Sequence, residues 1–217
     1  HTAYRRQRQM CIRDRYRRGN LTTWKKYGYD MAVLAGDKLF IYAFETAAKA
    51  FALTDRADLV GKAISILANK AGIYGMIGGQ SVDVEYTDRP VTKSQLEFIY
   101  ELKTAALLEA AMMIGAVLAG ADDNQVKAAE QIAHHVGMAF QIRDDILDVI
   151  STTEELGKPV KSDEKNNKTT YVTIYGLDGA SKLVEEYSHT AMTLLDQVCP
   201  NASFLKRLFE YLIVRKK

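Results

Sequence analysis

Proline occurs three times in 217 residues and cysteine twice, and each scarcity removes a class of architecture. With so few prolines, and with Ala, Leu, Ile and Met recurring at 3.6-residue spacing rather than in strand-like alternation, the chain reads as almost entirely helical. Cys11 and Cys199 are too few for a disulfide framework, which suits a reducing cytoplasm. No apolar run reaches membrane-spanning length, since even the stretch from 105 to 120 is interrupted by Glu109. A secretory h-region and a nucleic-acid recognition motif are missing as well. What remains is 47% hydrophobic, enough for one domain with a sizeable core and too much for a disordered chain.

The net charge of +2 conceals an asymmetry, because residues 1–18 hold seven arginines against Asp14 alone. The rest of the chain carries 22 basic and 26 acidic residues and is mildly acidic. The opening HTAYRRQRQMCIRDR is similar to translated adapter sequence. Residues 1–15 are therefore read as a non-native basic arm, and 16–217 as part of a single domain.

The most informative stretch is FQIRDDILDVI, 140–150. At 3.6 residues per turn Asp148 follows Asp144 by one turn, and Asp145 stays on the same side, so three carboxylates share a helical face. Asp is a poor interior helix former and like charges one turn apart repel, so the face calls for a counter-charge. Arg143 supplies none along the helix, its i+4 neighbour being Leu147. A solvated acidic surface is the plain alternative, but Phe140, Ile142, Ile146, Leu147, Val149 and Ile150 flank the acids. Oxygen ligands without nearby His or Cys favour Mg²⁺, completed by water and phosphate oxygens.

Breakers and caps divide the chain into about eight helical elements: 30–53, 54–69, a Gly-rich 73–86, a long helix from Thr92 to about 120, another from Asp122 or Asp123 to Ile150, and final helices over 169–175, 178–198 and 201–215. A polar loop, 151–168, carries Lys158, Lys161, Lys165 and Lys168. Lys103 opens an apolar segment, where a cation suggests an anionic ligand. Arg17 and Arg18 stand side by side, suited to bidentate phosphate contacts. His134 and His135 read as packing or surface residues. A di-iron bundle is excluded because Glu130 precedes His134 by four residues rather than three.

Taken in order, YRRG, YGYDMAVLAGDKL, IYGMIGGQSVDV, LKTAALLEAA, GMAFQIRDDILDV and LGKPVKSDEKNNKTTYV resemble the trans-isoprenyl diphosphate synthases, the polyprenyl synthetase family that includes farnesyl and geranylgeranyl diphosphate synthases. The resemblance implies an all-α bundle around a deep central cavity, here incomplete at its N-terminus. It further implies condensation of an allylic diphosphate with isopentenyl diphosphate, up to three Mg²⁺ ions, and a homodimer. Carried over by position, Asp144, Asp145 and Asp148 match the second aspartate-rich motif and bind Mg²⁺. Arg17, Lys103, Lys158 and Lys168 match groups on the allylic diphosphate, Arg18 one on isopentenyl diphosphate, and Gln80 and Asp83 the GGQ segment. Thr104 and Gln141 match polar residues near the developing carbocation. Phe44, Phe140 and the Met and Ala positions of 105–118 are candidate cavity linings.

The resemblance fails at CIRDR, which stands where the family carries its first aspartate-rich motif, and Lys161 replaces a glycine common in the loop. The expectation is therefore of a fragment with little turnover of its own, exposing apolar surface that further helices would cover. Two other readings compete: a class I terpene cyclase and a non-catalytic regulatory subunit. The KTAALLEAA block disfavours the first, and the retained aspartates disfavour the second.

Overall fold

The computed structural model describes residues 16–17, 20–87, 89–150 and 169–214. A two-residue antiparallel pairing, β1 (Tyr16–Arg17) with β2 (Asn20–Leu21), is the only departure from helix among the described elements. Then come α1 (Thr23–Tyr27), α2 (Tyr29–Ala48) with a 3₁₀ turn Lys49–Ala52, α3 (Ala57–Ala71), α4 (Met76–Glu85), α5 (Lys93–Tyr100), a π turn Glu101–Ala105, α6 (Ala106–Leu118), α7 (Asp123–Ile150), α8 (Tyr171–Val198) and α9 (Ser203–Val214).

Local chemistry sets the ends. Thr92 opens α5 through a capping box, its hydroxyl accepting from the Gln95 N–H while Gln95 Oε1 accepts from the Thr92 N–H. Asp122, rather than Asp123, caps α7 in the same reciprocal way with Gln125. The long helix expected from Thr92 to 120 is one rod interrupted, since the π turn inserts a wider loop of backbone between α5 and α6. The expected break between 175 and 178 is a kink inside α8 at Gly176, whose φ of 70° suits a residue without Cβ.

α7 is the spine. Ile142 and Ile146 pack against Leu96, Ile99 and Tyr100 of α5 and Tyr171, Ala180 and Val184 of α8. Nearer its N-terminus, Ile132 and Val136 meet Ala191 and Leu195 of α8 and Phe209 of α9. Early residues of α8 thus face late residues of α7, so the two 28-residue helices run antiparallel. On the other side α7 packs against α6, and α6 against α3.

In contrast, α2 has no buried residue, and Leu34, Leu39 and Ile41 are each at least 60% exposed. No described helix is long and apolar enough to cross a membrane.

Candidate active site

The three aspartates sit at the C-terminal end of α7, with Asp145 4% and Asp148 3% exposed and Asp144 only half-buried. Burying a carboxylate without partners is costly. Asp145 meets that demand within the chain: its Oδ2 accepts from the Tyr100 hydroxyl at 2.6 Å and from the Tyr171 backbone N–H at 3.1 Å. Tyr171 is the first residue of α8, where backbone N–H groups lack intrahelical acceptors and the helix dipole is positive. Thr170 caps the same terminus, its hydroxyl accepting from the Thr173 N–H at 3.2 Å. Asp145 thus has two donors from distant parts of the chain, both on one of its two carboxylate oxygens.

Next to this face lies the π turn, whose consecutive residues reach different helices. Lys103 Nζ donates to Asp83 Oδ2 of α4 at 2.7 Å, and Thr104 Oγ1 donates to Gln141 Oε1 of α7 at 2.7 Å. The cation in an apolar segment, read from sequence as awaiting an anionic ligand, therefore has an ion-pair partner in Asp83. Two glycines make the approach possible. A Cβ on Gly79 would lie 2.4 Å from the Lys103 backbone N, and one on Gly137 would lie 2.6 Å from both Cα and Cβ of Ala105. Gln80 follows Gly79 and is half-buried. The turn is held from both sides: Lys103 reaches α4, and Thr104 reaches Gln141, which lies about one turn before Asp144 and Asp145 on α7.

Arg18, Lys158 and Lys168 lie outside the described residues, as does the side chain of Arg17, whose backbone belongs to β1. Of the suggested cavity linings, Ala105, Ala106 and Ala110 are core, while Phe44 rests on Phe40 with ring centroids 5.4 Å apart.

Among the described residues no group of three or more His, Cys, Asp or Glu side chains is arranged to hold a metal ion. Mg²⁺ does not require one, because it is commonly held by one or two carboxylates with water and phosphate oxygens. Asp144, less buried than its neighbours and one turn from Asp148, fits that demand, and the absence of His or Cys on this face suits a hard cation.

A second charged cluster, missed from sequence, joins α3, α6 and α7. Lys70 Nζ lies 2.5 Å from Glu109 Oε2 and 2.5 Å from Glu130 Oε1, and His134 Nδ1 lies 3.1 Å from Glu109 Oε1. His134 is thus an ion-pair partner rather than packing or surface. The Glu109 hydrogen bond raises the His134 pKa against the opposing effect of burial. Burial pushes Glu109 up, but hydrogen bonds from His134 and Lys70 outweigh it and hold the carboxyl below its usual range. Glu109 and His134 are spaced 25 residues apart, which leaves no local sequence signal.

The chain is also similar to known proteins. The polyprenyl synthetase family model matches residues 13–201. The chain belongs to the polyprenyl synthetase family. It is 37% identical over 202 residues to the farnesyl diphosphate synthase of Geobacillus stearothermophilus, covering 93% of this chain and 68% of that protein. It is 43% identical over 173 residues to the geranylgeranyl diphosphate synthase of Cyanophora paradoxa, covering 79% and 57%. Among solved structures, the geranyltransferase of Helicobacter pylori complexed with magnesium and isoprenyl diphosphate superposes with a TM-score of 0.77 at 32% identity, covering 89% of this chain and 63% of that one. The chain therefore spans roughly three-fifths to two-thirds of the length of these polyprenyl synthetases.

Proposed function

We propose that the chain supplies the second aspartate-rich half of a trans-prenyltransferase site, which joins an allylic diphosphate to isopentenyl diphosphate and lengthens the product by one isoprene unit. The observation that supports this reading is that adjacent residues of the π turn are fixed in different directions, Lys103 on Asp83 and Thr104 on Gln141, the latter about one turn before Asp144 on α7. Asp144, with Asp148, holds Mg²⁺, which when bound neutralises charge on the departing diphosphate.

Asp83 keeps the Lys103 ammonium in place to face the same diphosphate. With the leaving group stabilised, the allylic C–O bond breaks and its electron pair departs on the diphosphate oxygen. The Thr104 hydroxyl and Gln141 amide present fixed dipoles to the positive charge left on carbon, which cost no reorganisation during the step. The double bond of isopentenyl diphosphate closes the new C–C bond, and a proton is lost to the released diphosphate. Gln80, Arg17, Arg18, Lys158 and Lys168 belong to this reading as further diphosphate contacts. The exposed apolar residues of α2 support a homodimer in which a second copy covers them.

Calorimetric titration of an allylic diphosphate in the presence of Mg²⁺, paired with a product assay that includes isopentenyl diphosphate, tests the assignment. Asp144→Asn should weaken Mg²⁺-dependent binding and lower any turnover by about a hundredfold. Parent-like behaviour in both measurements would remove Asp144 from the site.

A further inference from the structure

Asp145 is buried, negative, and adjacent in sequence to the residue assigned to the metal, yet one of its oxygens is committed to two donors inside the protein. Those donors come from elements far apart in the chain. The Tyr100 hydroxyl ends α5, 45 residues earlier, and the Tyr171 amide begins α8, 26 residues later. Tyr100 is only 2% exposed, and its ring packs on that of Tyr171 with centroids 5.3 Å apart. Among the described residues the Tyr171 phenol oxygen has no hydrogen-bond partner, so this residue contributes its amide and its ring face, not its hydroxyl. Carboxylate, phenol and helix terminus therefore form a three-way joint between α5, α7 and α8. It lies one residue from Asp144 and, through α5, immediately before the π turn that carries Lys103 and Thr104.

We propose that Tyr100 is a positioning residue. Through Asp145 it locks the rotation of the α7 terminus about its own axis, and so fixes the direction in which Asp144 is presented. The inference rests on the reading of Asp144 as a Mg²⁺ ligand. Helix rotation is the relevant freedom because successive residues differ by 100°, so a small turn of the last segment of α7 redirects every carboxylate on it. A hydrogen bond to a charged acceptor is stronger than a neutral one, which gives this joint more hold than a tyrosine hydroxyl ordinarily provides. Asp145 is accordingly a brace, its Oδ2 held by both the Tyr100 hydroxyl and the Tyr171 amide.

The test is Tyr100→Phe, which keeps the ring and removes only the hydroxyl, compared with Tyr171→Phe as a control for losing a phenol nearby. Two quantities are read on the metal-free and the titrated protein: hydrogen exchange of the Tyr171 amide, and binding of inorganic pyrophosphate with Mg²⁺ by calorimetry. Tyr100→Phe should speed exchange at Tyr171 about tenfold, the loss of one charge-assisted hydrogen bond. It should also weaken Mg²⁺-dependent pyrophosphate binding severalfold, while Tyr171→Phe leaves both at the parent values. Parent-like exchange in Tyr100→Phe overturns the brace, and faster exchange with unchanged pyrophosphate binding overturns its role in positioning. Asp144→Asn run alongside separates the two readings: if it binds Mg²⁺ and pyrophosphate like the parent, the metal assignment has failed, and the Tyr171 exchange rate still decides the joint.

Discussion

Replacing Lys70 by Met removes the one cation that faces both Glu109 and Glu130, while keeping an unbranched side chain of similar length. Glu109 is 7% exposed, so it cannot recover the lost partner by rehydrating in place, whereas Glu130 is about one-third exposed and can. Breaking a buried pair by deleting one partner costs about 3–5 kcal/mol. The His134 contact at 3.1 Å still serves Glu109, which argues for the lower end, about 3 kcal/mol. For a chain of this size that corresponds to a melting temperature lower by about 6–12 °C. The double variant Lys70→Met with Glu109→Leu removes both charges together, and it should return to within about 1 kcal/mol of the parent, since apolar replacements of buried pairs are often neutral. Thermal unfolding of the parent, both single variants and the double variant supplies the coupling directly. A Lys70→Met protein that melts within experimental error of the parent, or a double variant no better than the worse single, would refute the claim that this contact ties α3 to α6 and α7.

The same cluster gives a pH signature. His134 has a raised pKa, so its contribution is complete below the unfolded imidazole value and fades as pH rises through the folded one. Glu109 has a lowered pKa, so its contribution is complete above the unfolded carboxyl value and fades as pH falls through the folded one. Glu101, Glu109 and Lys70 all act on His134 from neighbouring elements, with His135 beside it in edge contact and Glu130 one turn before. Stability lost between mildly acidic and mildly alkaline pH in the parent should therefore be absent in His134→Gln, as chemical denaturation at a series of pH values would reveal. Gly137→Ala forces a methyl to within 2.6 Å of the Ala105 Cα, and it should cost about 1–3 kcal/mol with a matching fall in melting temperature. Thr104→Val keeps the shape but deletes the donor to Gln141 Oε1, so turnover by an assembled enzyme should fall at least tenfold while diphosphate affinity, measured by calorimetry, holds.

Helix periodicity, the Thr92 cap, the Asp122 cap and the Gly176 break were legible because each is decided within a few residues of sequence. So was the shared face of Asp144, Asp145 and Asp148, which follows from helix geometry alone. The π turn was not: ELKTA has no composition that distinguishes it from α-helix, and the close approach of α4 and α7 to it at Gly79 and Gly137 is a tertiary contact. Lys103 was recognised as a cation that needed an anion, but its partner Asp83 sits 20 residues away, and no spacing rule reaches that far. His134 read as a packing or surface residue, and nothing local tied it to Lys70, Glu109 and Glu130 until the fold brought the four together.

These misses share a cause that also explains how α7 tolerates its acids. α7 carries Glu130 and, further on, Asp144, Asp145 and Asp148, and at Glu130 and Asp145 the partners come from neighbouring elements. Lys70 of α3 meets Glu130, and two donors of unlike kind, a phenol and a helix terminus, meet Asp145. About 16 Å of helix separates His134 from Asp145, at 1.5 Å per residue, so the two clusters are independent anchors at different heights along one rod. Each anchor fixes α7 against a different set of neighbours: α3 and α6 at the first, α5 and α8 at the second. A long helix held at two heights can neither slide nor turn freely, and Asp144 is the less buried acid just before the second anchor. Because Asp144 adjoins the second anchor and lies far from the first, variants at Lys70 and Tyr100 should differ in kind: the first lowers the melting temperature, and the second weakens pyrophosphate binding.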